Sequence, residues 1–502
     1  MTSDRSGATA RRVAWGVIGA CLALGLAFGV HPWYDPTNDG SMYLITARAL
    51  AAGEGYTYLG EPFVIRPPGF PALLAPLVAL RGTDFHALNL FVSATGALGV
   101  VLFHLLLRPR LGLLLATLVP LVLWFNPGHQ RMANQVMSDV PGWTLLVACL
   151  LLARQPWART PRGAFGLGLA LGLAALVRSA NVLLVPALVA YEGLQLLPRA
   201  GRAGWKGALR RCAALALGAL LVSVPWSVRN QLVRPPPPAE QTTLYSYSTA
   251  LLHTDLGDPA SPRVTASEFL GRFPRQMSKS LHSLGTRLGD GAPAPHVLAV
   301  ALLLLGALLV SAVRRRAPED LWGLAMLGVV AFYFAYAGRL MLPLFALAIP
   351  AAVELARDLL ARFLGARAGL LGAALLCLAW IAVDWAPRAG WKEIEGLHEA
   401  QVRLARQVNE RLPPEARLGA YRAWHHSVYL ERPVHGFEPA LARAGNPGER
   451  VTIARLVERH ALDAILLGEL GLPDSVAREE RAFAAAVAAM YGGPQRGLVP
   501  VR

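Results

Sequence analysis

The sequence predicts an all-α polytopic membrane protein carrying a small C-terminal α/β domain, and three observations predict it. The 502-residue chain is 54% hydrophobic and only 16% charged, with a mean hydropathy of +0.41, whereas soluble domains are about 25% charged. Apolar stretches able to cross a hydrocarbon core of ~30 Å recur along residues 1–385. From residue 386 to 502 they cease, and a charged pattern replaces them. A soluble enzyme is excluded by this balance.

The elements follow in order. The run 13–30 comes after Arg5, Arg11 and Arg12 and passes straight into His31-Pro32-Trp33-Tyr34-Asp35. It has no small-residue cleavage site, so it reads as a retained first span rather than a signal peptide. A first outer loop, 31–84, precedes further runs at 85–107, 111–126, 139–153, 163–178, 181–197, 212–229, 296–313, 321–337, 340–357 and 368–385. That makes about eleven crossings. Arg178, Ser179 and Asn181 interrupt the stretch 163–197, which reads either as two spans or as one kinked or re-entrant element. A large outer loop, 230–295, contains Pro235 to Pro238, an extended spacer in its own right. In the tail, a helical pattern runs from Ile394 to Leu412, then Leu-Gly-Ala-Tyr reads as a strand, Arg450 to His460 as a helix, and Leu-Asp-Ala-Ile-Leu-Leu as a buried strand ending at Gly468.

Charge sets the orientation. The formal net charge is +16, with only Lys206, Lys279 and Lys392 as lysines. The basic residues gather in alternate short loops: Arg108 and Arg110; Arg154, Arg159 and Arg162; Arg199 to Arg211; Arg314 to Arg316; Arg357 to Arg367. Basic short loops are retained on the cytoplasmic side. This puts the N-terminus in the cytoplasm, with 31–84, 127–138, 230–295 and the C-terminal domain outside a multi-pass plasma (inner) membrane protein. The same distribution argues for the lipid bilayer, and against nucleic acid, as the partner of the basic charge. Cys21, Cys149, Cys212 and Cys377 all lie in apolar segments and read as free thiols. No 20–50-residue repeat marks a solenoid, and no duplicated halves with paired broken helices mark a secondary transporter.

Chemistry-bearing residues cluster on the predicted outer face. Asp39, with Tyr43 one turn further on, opens an amphipathic helix through Ala51; it reads as an acid aimed at a substrate hydroxyl or as a helix cap. Asp139, in Met-Ser-Asp-Val-Pro-Gly-Trp, stands at the outer end of the fourth span. Arg178, Arg229 and Arg339 fall at the same boundary, and Arg66 is pinned by Pro67 and Pro68. Arginine's planar fork suits phosphate oxygens, while an interfacial arginine can equally snorkel or staple a loop. A further reading groups Asp39, Asp139 and His129 around magnesium or manganese, which take oxygen ligands. His425, His426 and His435 read as a solvated surface rather than a zinc site.

Taken in order, Asp-Gly-Ser-Met-Tyr, Ala-Ala-Gly-Glu-Gly-Tyr, Arg-Pro-Pro-Gly-Phe-Pro, Met-Ser-Asp-Val-Pro, Gly-Leu-Ala-Ala-Leu-Val-Arg-Ser, Val-Pro-Trp-Ser-Val-Arg-Asn and Gly-Arg-Leu-Met-Leu-Pro-Leu span roughly residues 30–360. This series resembles the bacterial relatives of protein O-mannosyltransferases and of lipid A aminoarabinose transferases, integral-membrane glycosyltransferases of the GT-C fold. The resemblance implies a polyprenyl-phosphate sugar as donor, a lipid, glycan or protein as acceptor, and no resident metal. It makes Asp39 the catalytic general base and Asp139 the second-loop acid, where the family more often has Glu. It makes Arg339 the phosphate-facing arginine of the late span, although Leu340 stands where the family usually has an aromatic. Arg66 and Arg178 follow as further phosphate ligands. The competing class is a transporter or flippase of a lipid-linked substrate.

Overall fold

A computed structural model describes residues 2–35, 37–196, 202–233, 251–254, 262–288, 294–333, 338–384, 391–420, 423–436, 453–454, 457–458, 461–467, 474–492 and 497–500. The proline run 235–238, Arg199, Arg450 and Gly468 lie outside these residues. Each of the eleven predicted apolar stretches coincides with helical structure apart from residues at its ends, such as Arg178, Phe332 and Tyr333. Helix α1 (Thr2–Gly29) is the first span. The loop 31–84 folds into α2 (Asn38–Ala51), a short β1/β2 hairpin (Thr57–Tyr58, Glu61–Pro62) and α3 (Gly69–Arg81). Helix α3 was not expected from the sequence, because Pro71 and Pro76 obscure its periodicity; Pro71 sits in the first turn, where its missing N–H is harmless.

Helix α4 (Phe85–Phe125) covers 41 residues but breaks at Gly112, whose φ of 73° and ψ of 176° leave helical space. The break folds the chain back. His104 Nδ1 donates to Ala116 O over 2.9 Å, whereas twelve residues of straight helix would separate them by about 18 Å. The expected runs 85–107 and 111–126 are therefore two legs of a hairpin. A short α5 (Pro127–Ala133), capped by Asn126, leads to α6 (Asp139–Ala153). Then follow α7 (Pro161–Val177), α8 (Leu184–Leu196), α9 (Arg202–Leu232), α10 (Ala266–Gly285), α11 (Pro295–Arg315), α12 (Pro318–Ala331), α13 (Met341–Leu364) and α14 (Ala366–Asp384).

Among the described residues, seven helices are long and apolar enough to cross a membrane. Helices α6, α7 and α12, of 15, 17 and 14 residues, are shorter. The protein is a multi-pass membrane protein. Glycines let α7 and α9 pack closely: a Cβ on Gly168 of α7 would lie 2.2 Å from Leu215 O, and one on Gly218 of α9 2.3 Å from Phe165 O. Without a hydrophobic drive between helices in lipid, close backbone approach of this kind supplies the packing. Trp124, Trp143, Trp322 and Phe345 fill the interior.

At one end of the bundle the basic loops are ion-paired. Arg110 meets Glu354 at 2.5 Å, Arg154 meets Glu319 at 2.6 Å, and Arg315 meets Glu319 and Asp320 at 2.7 and 2.9 Å. The candidate site lies at the opposite end of α6 and α13.

The tail comprises α15 (Trp391–Arg411), β3 (Leu418–Ala420), α16 (Ala423–Leu430), β4 (Val434–Gly436), β5 (Ala464–Leu467), α17 (Asp474–Tyr491) and β6 (Gly497–Pro500). Its sheet runs β4-β3-β5-β6, parallel except for the antiparallel β5/β6 pair. Phe483, Val487 and Ile465 form a small core of its own. Trp424 and Val428 of α16, however, belong to the core of the membrane-spanning bundle. The solvated-surface reading of the histidines is corrected here: His425 and His426 are buried because α16 packs against α2.

Candidate active site

Helix α2 starts at a threonine cap. Thr37 is extended (φ −129°, ψ 148°), and its Oγ1 accepts the Gly40 N–H over 3.0 Å. The cap role considered for Asp39 therefore belongs to Thr37, and Asp39 in the first turn is left to face other partners, with the helix dipole favouring its charge.

Those partners are two arginines. Arg66 donates to Asp39 Oδ1 through Nε at 3.2 Å and Nη2 at 3.0 Å, and Arg339 Nη2 donates to Oδ2 at 2.9 Å. Tyr56 holds the Arg66 loop, its hydroxyl donating to Arg66 O at 3.0 Å. Arg339 sits in the 3-10 turn Gly338–Leu340 that opens α13. Its Nη1 stands 3.7 Å from Asp139 Oδ2. Asp139, the first residue of α6, is 1% exposed and pairs with Arg178 Nη2 at 2.9 Å.

Arg178 reaches that position because α7 ends at Val177 and the backbone turns extended (φ −145°, ψ 113°) before the 3-10 turn Ser179–Leu183. Gly142 makes room for it, since a Cβ there would lie 2.5 Å from Arg178 Cδ. Asn181 locks the turn by donating to Gly142 O at 2.9 Å and Ala174 O at 3.2 Å. The interruption in 163–197 is thus a junction between two helices that delivers an arginine to a carboxylate.

The result is a string of alternating charge, Arg66–Asp39–Arg339–Asp139–Arg178, with a net charge of +1. Arg66 and Arg178 are mostly buried, whereas the Arg339 side chain is 44% exposed. Arg339 is the member open to an anion. Tyr43, one turn beyond Asp39, packs edge-on to Phe70 with its hydroxyl 3.2 Å from Ser138 Oγ. Burial alone would raise the Asp39 carboxyl, but the Arg66 and Arg339 guanidiniums outweigh it and hold it well below the usual carboxylate range. Stability drawn from this pairing is present above the unfolded carboxyl value of about 3.9 and lost as pH falls through the lower folded one.

Two other sequence candidates stand apart. Arg229 donates to Phe63 O at 2.6 Å and Tyr56 O at 3.0 Å and stacks on Trp226, stapling the loop 31–84 to the end of α9. His129 is buried between Trp124 and Trp143, and burial pushes it down to about 4. Both its ring nitrogens lack partners among the described residues. Among those residues no three His, Cys, Asp or Glu side chains converge to hold a metal ion. With guanidiniums on both carboxylates, the donor set fits an anion rather than a magnesium or manganese ion. Thr37 and Gly142 were missed by sequence reasoning, and Asn181 was read only as part of the interruption in 163–197. Only Thr37, a capping residue type before an acidic first turn, carried a local signal.

The Asp139–Arg178 pair carries a stability prediction. Asp139→Asn leaves Arg178 buried without its counter-charge, and breaking such a pair costs about 3–5 kcal/mol. Thermal unfolding in detergent is expected to show a lowered midpoint for Asp139→Asn, with part of the loss recovered in Asp139→Asn/Arg178→Gln.

No family model matches the chain, and no curated protein sequence matches it. Solved structures do. A crystal structure of ArnT (lipid A aminoarabinose transferase) from Cupriavidus metallidurans bound to undecaprenyl phosphate is similar at a TM-score of 0.58 and 16% identity, over 89% of this chain and 88% of that one. The apo state of the same protein gives 0.57 and 16%, over 96% and 92%. The Archaeoglobus fulgidus oligosaccharyltransferase, tethered to an acceptor peptide containing the NVT sequon, gives 0.55 and 12%, over 95% and 70%. At these identities the likeness is one of architecture, and in architecture this chain has the GT-C fold.

Proposed function

We propose that this protein is an integral-membrane glycosyltransferase that moves a sugar from a polyprenyl-phosphate donor to an acceptor hydroxyl on the extracytoplasmic face. The observation that carries the reading is the alternating string with Arg339 as its open member. Two carboxylates and three guanidiniums at one end of a membrane bundle suit an anionic headgroup whose lipid tail stays in the bilayer. The solved structure with undecaprenyl phosphate supports a donor of this kind, and the one with a tethered peptide supports an acceptor-binding face.

The acceptor hydroxyl attacks the anomeric carbon, its proton passes to Asp39, and the bond from that carbon to the phosphate oxygen breaks. Polyprenyl phosphate leaves with the bonding electrons, and Arg339, backed by Arg66 and Arg178, stabilises the growing charge. Asp39 held by two guanidiniums is a poor base. A phosphate that draws on Arg339 relieves one of those contacts and raises the proton affinity of Asp39 when donor and acceptor are both present. Tyr43, one turn beyond Asp39, is held by its contact with Ser138. Arg229 contributes by fixing the loop that carries Arg66.

The test uses the full chain in proteoliposomes with a panel of labelled polyprenyl-phosphate sugars and an envelope fraction as acceptor. Acceptor-dependent release of polyprenyl phosphate is expected for at least one donor. Movement of the labelled lipid between leaflets without release would replace the transferase by the flippase reading.

A further inference from the structure

A buried polar chain joins the C-terminal domain to the first turn of α2. His425 Nδ1 lies 2.8 Å from Ser41 Oγ, and Ser41 Oγ lies 2.8 Å from Tyr34 Oη. Ser41 and Tyr34 are fully buried, and His425 is 2% exposed. Ser41 is two residues beyond Asp39. Between them Gly40 is in close contact on two sides, since a Cβ there would meet Thr37 Oγ1 at 2.5 Å and Val136 O at 2.9 Å. Asp39 therefore sits on a turn with little room to adjust.

The other end of α2 is latched to the same domain. Arg48 donates to Ser427 O at 3.2 Å and Val428 O at 2.8 Å, pairs with Glu431 at 3.4 Å, and also bonds Thr83. A third link brings in α15: His398 Nδ1 accepts the Tyr34 N–H at 3.3 Å and lies 3.1 Å from Tyr429 Oη. Tyr34 stacks on Phe85, with ring centroids 4.9 Å apart. Helix α16 thus spans α2 from the turn bearing Asp39 to its last turn.

A domain that merely decorates a membrane enzyme has no need to bury histidine, serine and tyrosine hydrogen bonds against it. Buried polar groups cost free energy unless satisfied, and when satisfied they fix one geometry rather than many. We propose that the C-terminal domain is the positioning element of the site: His425 fixes Ser41, Arg48 anchors the far end of α2, and together they hold Asp39 where Arg66 and Arg339 both reach it. His425 is a positioning residue, since it acts on Asp39 through Ser41 and the helix backbone.

The kinetic arm of the test rests on the proposed transferase activity; the exchange arm does not. The variants are His425→Ala, Ser41→Ala, their double, and His425→Asn, whose amide can occupy the place of Nδ1. Glu399→Ala, which alters an exposed α15 pair with Arg403, is the control. Loss of one buried hydrogen bond predicts about tenfold faster amide exchange over residues 40–43 in His425→Ala and Ser41→Ala, but not in Glu399→Ala. In the same variants kcat is expected to fall about tenfold with donor KM little changed. The double is expected to be no worse than either single, and His425→Asn to recover most of the loss. If His425→Ala does not fold, Ser41→Ala carries the same test.

Unchanged exchange at residues 40–43 would overturn the proposal, as would faster exchange spread evenly over the whole tail, which would mark simple tethering. Additive kinetic losses in the double, or an unaltered kcat in both singles, would overturn it too. If no donor is turned over by the wild type, the transferase reading fails, and the exchange data alone decide this one.

Discussion

Replacing Asp39 with asparagine is expected to lower acceptor-dependent release of polyprenyl phosphate by about 10²- to 10⁴-fold, the range assigned to a positioned general base. The sign of the binding effect is the sharper part. In the resting protein Asp39 occupies Arg66 and Arg339 with three hydrogen bonds of 2.9–3.2 Å. Asparagine keeps the shape and removes the charge, freeing both guanidiniums for a phosphate. Polyprenyl phosphate is therefore expected to bind Asp39→Asn as tightly as wild type, or more tightly, while turnover collapses. Isothermal titration in nanodiscs beside the release assay reads both quantities. Weakened binding with preserved turnover per bound donor would remove Asp39 as the base and make it a headgroup ligand.

Arg339→Ala is expected to fail in the opposite way. Arg339 has the most exposed side chain of the string, and it touches both carboxylates, at 2.9 and 3.7 Å. Losing it removes charge stabilisation at the leaving phosphate, for which a single preorganised donor contributes about 10²- to 10³-fold in kcat. It also leaves a string of net charge zero, so donor affinity should drop as well. Arg339→Lys restores charge without the planar fork and is expected to recover affinity better than kcat. A variant in which kcat survives while KM rises would assign Arg339 to ground-state binding only.

The opposite binding responses of these two variants follow from one geometric fact: Asp39 and Arg339, the proposed base and phosphate ligand, are each other's resting partners. Any explanation in which Asp39 and Arg339 act separately predicts that both lose donor affinity.

Much of the architecture is written locally in the chain. Hydropathy marks where a helix can lie in lipid, because the cost of exposing backbone and side-chain polarity to hydrocarbon is paid residue by residue. The eleven apolar stretches, the arginine-rich alternate loops and the change of character after residue 386 were all legible for that reason. So were the individual charges of the site, because Asp139, Arg66, Arg178 and Arg339 each interrupt or border apolar sequence where a charge needs a reason, and Asp39 opens a helical pattern just past the first span. Other features were not legible. The fold-back at Gly112 depends on a left-handed φ that glycine permits but does not announce. Proline hides α3, and nothing local to His425 and His426 shows that α16 packs against α2 and buries them both.

By itself, then, the sequence determined the membrane class, the order of the spans and a short roster of charged residues at one set of helix ends, since each of these is a property of neighbouring residues. The partnerships within that roster were decided by the tertiary structure alone. Asp39 meets Arg66 from 27 positions away and Arg339 from 300, and Ser41 meets His425 from 384. Arg229, of the same type and at the same boundary as Arg178, was turned to backbone carbonyls instead. The physical reason is that burying a charge requires an opposite charge or hydrogen-bonding groups within a few ångströms, and which groups come that close depends on how distant helices pack rather than on any residue's neighbours in the chain.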